Sequence, residues 1–331
     1  MMKVVSLLAI IILFLSCEKA LLGDKSSESP NEIFEALWQD VDKRYSFFEL
    51  KEINKDQLYN EFKEKIQENM TKQALFDTLA SLLFRLEDGH VNLTSSFDRS
   101  RNWEWYENYP TNFNENIIKN NYLESDFRIA GPLQYKIIND VMYVRYSSFA
   151  SGFSNANLNS VINAAKSTKG IIIDVRSNGG GALENAKRLA GVFFTDKTQF
   201  ASERLKNGPK EDDFNEFSPM FIEPGSIETF SKKVVVLTNR RSYSATTFFA
   251  QMMKTNERAE LVGDQTGGGG GIPMFGELPN GWKYRFSASQ TIDLNGRQIE
   301  KGVEVDYSID MDDNEEAQGI DTILEFALEL F

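Results

Sequence analysis

GIIIDVRSNGGGALENA, residues 170–186, opens with a β-branched run, breaks at three glycines and resumes in a helical pattern. A short apolar β-branched stretch of this kind is the mark of a strand buried on both faces. The helical pattern after SNGGG continues through ALENAKRLAGVFF. KVVVLT (233–238) repeats the signal, with a helix expected from about Ser244 to Lys254 and a third short strand at Glu260–Val262. Strand, glycine turn, helix, strand, helix, strand predicts a layered α/β core. Upstream, Tyr135–Ile138 and Val141–Tyr146 alternate around Asn139-Asp140 and read as a hairpin. Downstream, Trp282–Gln290 and Asp293–Asp306 read as late strands, with a turn at Asn295-Gly296, and Ile320–Phe331 as an amphipathic helix.

From Asn31 to Asp88 the period is helical. Ile33, Phe34, Leu37 and Val41 share one face, and Leu75, Leu79, Leu82 and Leu83 another. Residues 31–95 are therefore expected to form a small helical N-terminal domain, entered at Ser29-Pro30. Residues 96–130, polar and aromatic with no clear period, read as a linker or lid, and 131–331 as the α/β core.

The chain has 331 residues and a net charge of −13, which argues against a nucleic-acid partner. Lys3 followed by the apolar run Val4–Leu15 suits a signal-peptide core and is short for a membrane span. LFLSC ends at Cys17, the one cysteine in the chain. The run looks like a bacterial lipoprotein processing site. It predicts a signal peptide over 1–16, a lipid anchor at Cys17, a solvated tether over 17–30 and a cell-envelope location facing the periplasm or exterior. A lone cysteine makes no internal disulfide, so the fold must rest on its core.

Three features could carry chemistry. His90, the single histidine, sits in RLEDGHVNL (85–93) at a helix end; imidazole is the commonest base near neutral pH. Ser244 sits where strand KVVVLTN runs into a helix, so its hydroxyl would be exposed and the next N–H, on Ala245, could face an oxyanion; Ser242 or Ser244 as a plain helix cap is the blander reading. Ser177–Gly181 could expose amides to a ligand, but it lacks the lysine of a phosphate-binding loop and the dinucleotide fingerprint. The acidic run Asp310–Glu316 has Glu315 where a calcium loop needs glycine, so no metal is expected. No cofactor is expected either.

Taken together, LEDGHVNL (86–93), GIIIDVRSNGGGALENA (170–186), RSYSATTFFAQMM (241–253), LVGDQTGG (261–268) and GVEVD (302–306), with the helical FEALWQDVDKRYSFF (34–48), resemble the family of the C-terminal processing peptidases, the tricorn protease core and the interphotoreceptor retinoid-binding proteins. The resemblance implies a ClpP/crotonase-like α/β core and serine-dependent hydrolysis of peptides or proteins with Ser244 as nucleophile. The processing-peptidase branch takes its lysine base 25 residues further on, which here is Gly269, and no lysine occurs from Thr255 to Trp282. The tricorn-like branch instead implies His90 as base and a glutamate before the GVxPD segment, here Glu300, as third member, with Gly180 and Ala245 supplying the oxyanion hole. Val305 stands where that segment usually has proline. About 40 residues separate His90 from the hairpin, too few for the PDZ domain of many relatives. The retinoid-binding relatives leave open a non-catalytic ligand-binding lipoprotein on the same fold, and the same triad would serve another acyl hydrolase.

Overall fold

The computed structural model describes residues 27–331 apart from Trp103, so Cys17 and the expected signal segment lie outside the described residues. The described chain begins with helices α1 (Pro30–Arg44), α2 (Lys55–Lys63) and α3 (Lys72–Phe84) and short strands β1 (Asn92–Thr94) and β2 (Arg99–Arg101). There follow β3 (Arg128–Ala130), β4 (Leu133–Ile138), β5 (Val141–Arg145), α4 (Asn155–Ala165), β6 (Gly170–Asp174), α5 (Leu183–Gly191), β7 (Thr198–Leu205), β8 (Ser218–Ile222) and β9 (Lys233–Thr238). The chain closes with α6 (Ala245–Lys254), β10 (Ala259–Gly263), β11 (Pro273–Glu277), β12 (Lys283–Ser287), β13 (Ser289–Ile292), β14 (Tyr307–Ser308) and α7 (Thr322–Glu329).

Seven strands form the central sheet, in the order β14-β10-β9-β6-β5-β4-β3. From β5 to β14 neighbours run parallel, while β3, β4 and β5 are antiparallel. The expected hairpin is present: Ile138 faces Val141, and Asn139 and Asp140 both take positive φ, as a two-residue turn requires. Helices α4, α5 and α6 bury Val161, Leu189 and Phe249 against one face of the sheet. On the other face, Ile172, Val235 and Val262 meet Ile323 and Leu324 of α7.

Three expectations change. Residues 96–130 are not a free linker: Ile117, Ile118, Tyr122 and Leu123 are buried under the sheet beside α7, and β3 is its edge strand. The helical N-terminal unit is not closed within 31–95. Its core includes Leu278, Trp282, Tyr284 and Phe286, because β12 pairs with β1 in a four-stranded antiparallel sheet ordered β11-β12-β1-β2. Local periodicity cannot reveal a partner that distant. Finally, Asp293–Asp306 is not a strand; Asp293 N–H donates to Arg297 O at 2.9 Å around the Asn295-Gly296 turn, and Ile299–Lys301 is one 3-10 turn.

Beneath the glycine turn lies a fully buried ion cluster. Arg176 donates from Nε and Nη2 to Asp174 and from Nη1 to Asp321 at 2.9 Å. Burial would raise the Asp174 pKa, but Arg176 and then Arg145 outweigh it and hold the group ionised. Asp321 also caps α7 by accepting from Leu324 N–H. Removing one partner of such a pair leaves an uncompensated buried charge, so Arg176→Leu should cost about 3–5 kcal/mol in denaturant unfolding. A loss below 1 kcal/mol would show that the cluster does not anchor the turn.

Candidate active site

Strands β6 and β9 are parallel neighbours, so the turns after their carboxyl ends emerge side by side, the usual ligand position in open α/β sheets. Ser244 lies in the second turn with φ 57° and ψ −121°. That conformation suits glycine and costs a serine about 1–3 kcal/mol. Hydrogen bonds hold it there: Ser244 N–H donates to Gly268 O at 2.9 Å, and Tyr243 N–H to Asn178 O at 3.1 Å. The Ser244 side chain makes no capping bond to α6. Ser242 is the structural serine, fully buried, donating to Val175 O at 2.8 Å and accepting from Asn239 N–H.

The freed Ser244 Oγ lies 2.9 Å from His90 Nε2. His90 follows α3 in a turn fastened by Asp88, whose Oδ1 accepts from His90 N–H at 2.8 Å and whose Oδ2 accepts from Ser287 N–H at 3.1 Å. On the far side of the ring, Nδ1 lies 3.2 Å from Ser287 Oγ and 3.8 Å from Asp88 Oδ1. Arg285 Nε donates to the His90 carbonyl at 2.7 Å. Strand β12 thus holds the imidazole through Ser287 and the His90 main chain through Arg285.

Burial pushes the His90 pKa down to about 4, although the Asp88 carboxylate pulls it up. The ring is therefore neutral at pH 7 and able to accept a proton. Burial alone would raise the Asp88 pKa, but the Lys51 ammonium and then His90 lower it, so Asp88 stays ionised.

Gly180 has φ +94° and lies against Ser244; a Cβ there would fall 2.9 Å from Ser244 Cβ and 2.6 Å from Tyr243 O. Its amide, expected to face an oxyanion, donates instead to Asn178 Oδ1 at 3.0 Å. Ala245 opens α6, and the first N–H of a helix has no partner within it.

Glu300 is not brought to the imidazole. Its Oε1 pairs with Lys51 Nζ at 3.0 Å, and its Oε2 accepts from Gly270 N–H at 2.9 Å. Burial raises its pKa to about 7, opposed by Lys51. The expected three-residue contact is therefore replaced at the ring by Ser287 and Asp88. Asp88 lies within the histidine motif LEDGHVNL, whereas neither Ser287 nor Lys51 carries a sequence signal, since only folding brings them to the site.

Ser244 and His90 open into a cleft of about 580 Å³ lined by the glycine turn, Leu183, Phe248, Trp105, Ile272, Arg101 and Arg285. Trp105 comes from the segment read as a linker or lid, and its ring stacks on Tyr243 at 4.1 Å.

Fold and site together define a layered α/β protein with a serine and an imidazole paired at one cleft. The profile described as Peptidase family S41 matches residues 140–309, and that of the tricorn protease C1 domain matches 26–84. A putative peptidase of known structure from Parabacteroides merdae is 40% identical, over 92% of this chain and 97% of that one, with a TM-score of 0.87. A probable CtpA-like serine protease of Staphylococcus haemolyticus is 26% identical over 179 residues, 54% of this chain and 35% of that protein. Mature CPAF, at 13% identity and a TM-score of 0.67, over 92% of this chain and 96% of that one, shares the fold. This chain spans about a third of the length of the curated relative from S. haemolyticus. The chain belongs to peptidase family S41.

Because His90 is the sole histidine, its imidazole resonances are unambiguous in an NMR titration. They should titrate near pH 4, and lower still in Asp88→Asn, which removes the charge that favours the imidazolium. A midpoint near 6.5 would show that the ring is solvated and not held as described.

Proposed function

We propose that this chain is a serine peptidase acting on peptide or protein substrates, with Ser244 as nucleophile and His90 as general base. The observation that carries the reading is the 2.9 Å approach of Ser244 Oγ to His90 Nε2 inside the cleft. His90 takes the hydroxyl proton as Oγ attacks the peptide carbonyl. The ionised Asp88 and the Ser287 hydroxyl stabilise and orient the imidazolium, the role of the third group in such a site. The Ala245 N–H faces the developing oxyanion, while the bare Gly180 leaves room for the substrate carbonyl. His90 then protonates the leaving amine, and water activated by the same base hydrolyses the acyl-enzyme. Glu300 acts at a distance, paired with Lys51. Lipidation at Cys17 would hold the enzyme at the cell envelope, and Cys17→Ala would then move the protein from the membrane fraction to the soluble one.

Hydrolysis of a fluorogenic peptide library tests this reading. Ser244→Ala and His90→Ala should each lower kcat/KM by roughly 10⁴–10⁶-fold. Asp88→Asn should cost ~10²-fold or more, and a greater loss in Glu300→Gln would return the third role to Glu300. Turnover that survives Ser244→Ala would overturn the assignment.

The pH profile follows from the His90 shift. The active form is the neutral imidazole, so activity is lost as pH falls through its pKa. The acid limb of kcat/KM should sit near pH 4, well below the ordinary imidazole range. An acid limb near 6.5 in the wild type would contradict the buried, neutral base.

A further inference from the structure

The four-stranded sheet beside the cleft is sorted by charge. Its inward side chains, among them Leu93, Tyr284 and Phe286, are buried in the helical unit. Its outward row runs straight across the strands: Arg101 faces Asn92, Asn92 faces Arg285, and Arg285 faces Phe275. The next outward row places Arg99 opposite Thr94, Thr94 opposite Lys283, and Lys283 opposite Glu277 on the edge strand. Directly paired residues project to one face, so four cations share that face in a chain whose net charge is −13.

The first of these rows opens into the cleft, where Arg101 and Arg285 line the same cavity as Ser244 and His90. Arg285 is half-buried and uses Nε on the His90 carbonyl, which leaves its two terminal amino groups. No carboxylate of the described residues forms an ion pair with it. Burial weakens its hold on its proton; Asp88 counteracts this, while Arg101 and Arg99 add like-charge repulsion. A guanidinium held in this way is a strong receptor for a carboxylate, which it can grip with paired, charge-assisted hydrogen bonds. Phe275 stands 74% exposed beside it, with the Arg285 guanidinium 5.9 Å from the ring, and would cover the aliphatic part of an incoming side chain.

We propose that Arg101 and Arg285 form a subsite for a carboxylate of the substrate, set next to the scissile bond, so that the enzyme prefers peptides that place a carboxylate there. This inference rests on the peptidase reading and names its substrate class. The carboxylate belongs either to an acidic side chain or to a free C-terminus; the recognition chemistry is the same.

The test uses the whole protein and pairs of fluorogenic peptides. One pair set differs only in Glu against Gln at each of three positions on either side of the cleaved bond. Another differs only in a free against an amidated C-terminus. The carboxylate form should be cleaved with at least tenfold higher kcat/KM at low salt, and the ratio should shrink at high salt, where screening is strong. Arg101 is the residue to alter, since Arg285 also holds His90. Arg101→Gln should bring the ratio down severalfold, and Arg101→Glu should turn the preference toward lysine. A ratio near one in the wild type, or one that Arg101→Gln leaves unchanged, overturns the subsite. The pair set that shows the effect identifies the side chain or the terminus as the source. If no peptide is cleaved, the peptidase reading fails by itself, and calorimetry on Ser244→Ala protein still decides the subsite. Tighter binding of the Glu than the Gln peptide, lost in Arg101→Gln, supports it; equal affinities overturn it.

Discussion

One buried carboxylate joins the parts of this protein that must meet. Asp88 accepts hydrogen bonds from the main chain of His90 with one oxygen and from that of Ser287 with the other. The first fixes the turn that carries the imidazole; the second ties that turn to β12. Burying an ion is costly, and here the Lys51 ammonium and the two N–H donors offset the cost. Without that clamp the turn that carries His90 would lose both of these main-chain bonds.

Ser244 is held from the other side. Ser244 occupies a backbone conformation that a serine adopts only under constraint, and its turn is fastened on several sides. Gly268 accepts from its N–H, Asn178 accepts from Tyr243, and Thr247 Oγ1 donates to Gly268 O at 2.6 Å. Below, Arg176 links the strand end to the cap of α7 through two aspartates. Strain of this kind persists only where the surroundings over-determine it. The result is a hydroxyl freed from helix capping and aimed at the imidazole across the junction of two packing units. Membership of peptidase family S41 fits this construction.

Much of this was legible in the sequence. GIIIDV and KVVVLT announced their strands because a strand buried on both faces needs a continuous β-branched run, and Asn139-Asp140 announced its turn. The positions of Ser244 and His90 followed from the order of their motifs. The rest was not legible, for a physical reason. Closure of the helical unit by β11 and β12, the Ser287 and Lys51 contacts and the burial of residues 117–123 are long-range pairings that leave no local period. Glu300 shows the converse: its motif placed it near the site, but a nearby ammonium and the Gly270 amide took its two oxygens.

The central claim is that Ser244 and His90 act as one unit across that junction. A crystal structure of the protein treated with a peptidyl boronate tests it most directly. The account predicts a covalent bond from Ser244 Oγ to boron, one boronate oxygen within hydrogen-bonding distance of the Ala245 N–H, and His90 Nε2 within about 3 Å of the adduct. A boronate bound elsewhere, or bound to Ser244 with the imidazole turned away and Asp88 released from Ser287, would contradict it.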